Sequence, residues 1–196
     1  MDTHQLNSRL RRHTRAILNV DGQIEHVAFI LDPAGGGPVI PGVALTHNAA
    51  HATLHAPDED EFDAVHLLGT PVPAGAGLCE RFLAYHRDLP AAGVVMLHVE
   101  SVKCAGEVLD AAEFSLANPL MAIEPALCRI ANEDQGRLAR ACEAITRVRP
   151  TDPRVLGIDP WGMDVRARVG VMRVEFETPL EPATAQAALR ERLNHA

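Results

Sequence analysis

The stretch "AILNVDGQIEHVAFIL", residues 16–31, holds two apolar runs separated by Asp21-Gly22. Asp-Gly between alternating apolar segments is a strong hairpin signal, because glycine accepts the positive φ that a tight two-residue turn demands. Two antiparallel strands are therefore expected here. Working outward, "PVIPGVAL" at 38–45 reads as a strand interrupted at Pro41-Gly42, a place for an edge or a bulge. The glycines at 35–37 lack dinucleotide-loop spacing and read as a turn.

"HATLHA" and "FDAVHLLGTPV" form a second expected antiparallel pair around the acidic run at 58–61. "AGLCERFLAYHRDLP" places Leu78, Phe82, Tyr85 and Leu89 at helical spacing and stops at Pro90. "GVVMLHVESVKCAGEVLD" gives two more strands. Many short strands with one helix point to an antiparallel barrel over residues 1–117.

A second, smaller domain is expected over 118–196. "NEDQGRLARACEAITRV" is a helix with Asn132 as its cap and Gln135 three residues on, as in a capping box. Leu138, Cys142, Ile145 and Val148 supply its apolar stripe. "RVLGIDPWGMDVRARVGVMRVEFETPL" reads as three strands, with Val165, Ala167, Val169, Met172, Val174 and Phe176 facing inward. Arg166, Arg168, Arg173, Glu175 and Glu177 would form a solvated outer ladder. "PATAQAALRERLNHA" closes an α-β-β-β-α unit, so the fold class is α+β.

With 196 residues, 47% hydrophobic and 22% charged, the composition is that of a globular protein. No apolar run reaches the length of a membrane helix, and the charged N-terminus lacks the core of a secretory signal. Cys79, Cys104, Cys128 and Cys142 are scattered and form no CxxC pair, which fits free thiols in a cytoplasmic protein. A net charge of −8 argues against nucleic acid as partner. Arg9, Arg11, Arg12 and Arg15 crowd the start, and residues 16–80 hold no Lys or Arg at all.

The order of elements, with "NEDQGRLARAC", "GIDPWGMDVRA" and "RVEFETPLEPATAQAALRERL" in the second half, resembles a known family. These are the pyridoxamine 5′-phosphate oxidase-like, FMN-binding split barrels with a small C-terminal domain, a group that includes bacterial haem-utilisation proteins. "RRHTRAILNVDGQIEHVAFILD", "FDAVHLLGTPVP" and "CERFLAYH" are similar to its barrel segments. The resemblance implies a six-stranded split barrel, a homodimer, and a ligand at the subunit interface. Relatives carry a His after the Asn-Glu-Asp; here it is Gln135.

Flavin-binding relatives hold the phosphate with basic and hydroxyl side chains on the second and third strands. Those regions here offer only Thr46 and no cation. An Arg fork is a common phosphate anchor, so the deficit shifts the expectation from FMN toward haem. His47, His51 and His55 would share one face of a helix, but in a strand His51 and His55 stand ~13 Å apart, too far to bind one metal together. A haem needs only one axial imidazole. The candidate cofactor-binding set is therefore Arg12, His13, Arg15, Thr46, His47, His51 and His195, the arginines pairing with haem propionates. FMN-dependent oxidoreductase is the alternative, and a cofactor-less partner-binding barrel is a third. Any enzymatic activity would be that of an oxidoreductase, flavin-dependent or haem-degrading.

Overall fold

A computed structural model describes residues 3–44, 49–57, 64–89, 93–168 and 170–195. Thr46, His47, Val169 and the acidic run at 58–61 lie outside them, as do the side chains of Val43 and His195. The chain divides into two compact units, Met1–Ala117 and Asn118–Ala196.

The first unit is built on an antiparallel sheet. Strand β1 (Arg15–Val20) and β2 (Gln23–Ala28) meet at Asp21 and Gly22, whose φ values of 52° and 81° make the expected primed turn. Next come β3 (Ile30–Leu31), β4 (Pro38–Pro41), β5 (Ala52–Ala56), β6 (Val65–Pro73), β7 (Val94–Cys104) and β8 (Glu107–Asp110). The hydrogen-bonded order is β2-β1-β5-β6-β7-β4-β3, with β8 also on β7. Among the described residues the sheet has eight strands, where the resemblance implies six.

The strands at the two ends of that order, β2 and β3, are separated in the chain by Phe29 alone. A sheet whose first and last strands are joined by one residue has to curl until its edges adjoin, which is the split-barrel form. Phe29 is fully buried, donates its N–H to the Thr14 carbonyl at 2.9 Å, and accepts at its own carbonyl from His86 Nε2 at 3.2 Å. His86 caps helix α2 (Ala76–Tyr85), so the expected helix also pins the closure.

The inward residues are Ala16, Leu18 and Val20 of β1, Leu54 of β5, Leu67 of β6 and Val102 of β7, all buried in one cluster. An N-terminal helix, α1 (Thr3–Leu10), adds Leu6 and Leu10 to that cluster. Its Asn7 Nδ2 donates to the Ser115 carbonyl at 2.6 Å. This helix was not expected from the charged, weakly apolar N-terminus. "PVIPGVAL" stops being a strand at Pro41 and turns into a short 3₁₀ helix, Gly42–Ala44.

In the second unit the expected α-β-β-β-α succession is present as α4 (Gln135–Thr146), β9 (Arg154–Asp159), β10 (Gly162–Ala167), β11 (Gly170–Glu175) and α5 (Ala185–His195). A further helix, α3 (Glu124–Asn132), precedes it. Asn132 therefore ends α3, and Asp134 caps α4 by accepting from Arg137 N at 2.9 Å. Strand β9 is an edge, and side chains satisfy its outer backbone. Asn132 bonds both the N–H and the carbonyl of Val155, while Glu124 and Asn118 take the N–H and carbonyl of Ile158. Unpaired buried backbone groups are costly, which explains these polar residues within an apolar helix.

One expectation is corrected here. Arg173 is not on a solvated ladder; its side chain is 9% exposed and lies 2.6 Å from Asp159 and 3.1 Å from Asp164. Regular β10–β11 pairing sets Arg173 directly opposite Asp164, and Asp159 lies beside them across the β9–β10 turn. The two aspartates favour the charged guanidinium against its burial, and its pKa lies above the ordinary arginine value. The small residue of "DPWGMD", Gly162, leaves room for that guanidinium, since a Cβ there would approach Arg173 Nε to 2.9 Å.

Candidate functional site

The hairpin register decides which side chains share a face. Ile17 pairs with His26 on one side and with His55 on the other; His55 pairs with His66, His66 with Lys103, and Lys103 with Val108. Directly paired residues point to the same side of a sheet. Leu18, Leu54, Leu67 and Val102 form the neighbouring inward row, so these residues lie on the outer face. Three imidazoles and the chain's only lysine are thereby gathered in one row.

His55 and His66 are in contact. Their Nδ1 atoms are 2.7 Å apart and their rings meet edge to face at 81°. One Nδ1 carries the hydrogen and the other accepts it. His55 is buried despite facing outward.

At the β1–β2 end of this face, Arg12, His13, Thr14, Arg15, His26 and Pro57 surround a cleft of about 450 Å³, with Ala16 and Val27 completing its wall. That size is within the range of ordinary small-molecule sites. Arg12 and Arg15 are exposed at the cleft, and His13 is half-buried. The other two N-terminal arginines are engaged elsewhere: Arg11 donates to the Leu116 carbonyl at 2.6 Å, and Arg9 reaches Cys104 Sγ at 3.7 Å.

Of the candidates named from sequence, Arg12, His13 and Arg15 come together in this cleft. His51 does not line it; it is 61% exposed and stands 3.7 Å from Glu100, which also accepts from Thr70. Thr46 and His47 lie outside the described residues, and His195 ends α5 in the second unit. His26 was missed, although a two-residue turn at Asp21-Gly22 already fixes it opposite Ile17 and beside Arg15. Among the described residues no three His, Cys, Asp or Glu side chains group as metal ligands. No helix among them is long and apolar enough to cross a membrane.

No family model and no curated protein matches the chain. Among solved structures it is similar to the protein Atu2129 (unknown function) from Agrobacterium tumefaciens str. C58, with a TM-score of 0.68 and 18% identity, over 96% of this chain and 94% of that one. The two share a fold. A heme binding protein from Mycobacterium smegmatis aligns over 100% of this chain and 99% of that one at 18% identity, with a TM-score of 0.45, too low to establish even a common fold.

Proposed function

We propose that the protein binds haem or a related tetrapyrrole in the cleft of Arg12, His13, Arg15 and His26, and that it does so as a homodimer. The observation that carries this reading is the donor set. His13 and His26 offer imidazole nitrogens that would hold the iron, and Arg12 and Arg15 offer planar guanidiniums that would pair with two carboxylates. Bound haem would supply the redox-active iron; the chain's part is to hold it, orient it and limit water.

The homodimer is supported by what else lies on this face. Ile24, Leu68 and Val108 are 54%, 38% and 63% exposed and share the outward parity of His26, His66 and Lys103. Exposed apolar side chains on β2, β6 and β8 of one sheet face suit an association surface.

Arg12 and Arg15 also suit a phosphoryl group, which keeps an FMN-dependent oxidoreductase as the rival. The test is an absorption titration of the purified protein with hemin and, separately, with FMN. The expected result is a saturable Soret shift with hemin, weakened in the Arg12→Ala/Arg15→Ala variant, and no response to FMN. Saturable FMN binding with no Soret shift would replace haem by flavin. Indifference to both would leave the barrel as a partner-binding module.

A further inference from the structure

We propose that His55 and His66 form an acid-sensitive latch on the outer face of the first unit, one that controls the association of two copies; this rests on the homodimer reading above. The latch is the 2.7 Å approach of the two Nδ1 atoms between directly paired residues of β5 and β6. Such a contact needs one ring to donate and the other to accept. With one added proton the need is still met, because an imidazolium donates to a neutral imidazole. A second added proton sets two N–H groups and two positive charges face to face, and the bond is lost. Both protons come from solvent, and the two steps belong to the pair rather than to either ring. His55 is only 7% exposed and His66 is half-buried, so His66 is the ring that swings outward when both are charged.

By register, the fixed charges nearest the pair among the described residues are cations. His66 is directly opposite Lys103 of β7, and Lys103 is opposite Val108 of β8, with Asp110 two residues farther along that strand on the same face. On the other side His55 pairs with Ile17 of β1; Arg15 is two residues along that face, and His26 of β2 lies beyond Ile17. Glu100, beside His51, contacts Thr70, which is four residues along β6 and so ~13 Å from His66. Helix α1 also packs against β6, but its Arg9 reaches Cys104 in the inward cluster. The acidic run at 58–61 lies outside the described residues. No carboxylate elsewhere restores a hydrogen bond between two donors.

The pair sits within the exposed apolar patch. Leu68 is two residues along β6 from His66, and Val108 is one strand beyond Lys103. A second copy laid over Leu68 and Val108 therefore covers His66 as well. A pair holding only its shared proton brings no charge to that interface. A doubly charged pair has to be desolvated beside Lys103, and like charges brought together at an interface oppose association.

The experiment is sedimentation velocity of the full chain at about pH 7.5 and about pH 5.5, a span that brackets ordinary imidazole titration, with imidazole ¹⁵N spectra of the same samples. Wild type should be a dimer at the higher pH and associate about tenfold more weakly or worse at the lower, the factor that one unit of differential proton affinity supplies. The spectra should show one protonated and one bare Nδ1 in the pair at the higher pH, and both protonated at the lower. His66→Gln should lose much less on acidification, because an amide can present its oxygen or its nitrogen to His55 in either protonation state. A monomeric wild type at the higher pH overturns the homodimer and with it the control of association. A dimer whose strength ignores pH, or falls equally in His66→Gln, overturns the latch and leaves the homodimer standing. Should His66→Gln fail to fold, the wild-type spectra decide alone: both rings charged within an undiminished dimer overturns the proposal.

Discussion

Arg173 Nη2 lies 2.6 Å from Asp159 Oδ1 in the second unit, with both side chains less than one-tenth exposed. Removing the cation leaves Asp159 and Asp164 beside each other and desolvated. Arg173→Met should therefore destabilise the protein by about 3–5 kcal/mol, the usual cost of orphaning a buried charge. Arg173→Lys should recover only part, because an ammonium cannot fork between two carboxylates. Denaturant melts of the two variants measure the difference; equal stability of wild type and Arg173→Met would show that the cluster contributes nothing.

Barrel closure makes its own prediction through His86. Burial lowers its pKa below 6.5, the Arg15 charge acts in the same direction, and the bond to the Phe29 carbonyl partly opposes both. The unfolded chain then binds the proton more readily than the folded one. Stability from this group is full above pH 6.5 and declines as pH falls from there through the folded pKa. His86→Gln keeps an N–H for Phe29 without titrating, so its melting temperature should drop less between neutral and mildly acidic pH. An unchanged slope would remove His86 from the pH response.

Within the glycine run at 35–37, Gly36 is required by geometry. Gly36 has a φ of 76°, and a Cβ there would meet Leu116 Cβ at 2.2 Å. Gly36→Ala combines left-handed strain of about 1 kcal/mol with a clash against a buried residue. A loss of about 2–4 kcal/mol is expected in chemical denaturation. Gly35→Ala is the control: its nearest neighbour is the Asp32 carboxylate at 3.2 Å, and a much smaller loss is expected.

Much of the architecture was legible because its signals are local. Asp21-Gly22 fixed the first hairpin, and the apolar spacing around Phe82 fixed α2. Helices α1 and α3 escaped notice because each is short and carries polar residues, Asn7, Glu124 and Asn132, whose partners are distant backbone groups. Such partners leave no periodic trace. Arg173 was misread for the same reason: alternation places a residue on a face, and only the fold shows that Asp159 and Asp164 are there to bury it. The candidate site was half legible. Arg12, His13 and Arg15 are contiguous enough to be noticed, whereas His26 and the His55–His66 pair depend on strand register across three strands.

Whether His13 and His26 would hold the iron of a bound haem is tested by titrating hemin into wild type, His13→Ala, His26→Ala, the double variant and His51→Ala while following the Soret band. Wild type and His51→Ala should show the same saturable shift, one or both single variants a weaker or displaced one, and the double variant none. An unaltered shift in the double variant, or no shift in wild type at micromolar hemin, would contradict the assignment of the cleft.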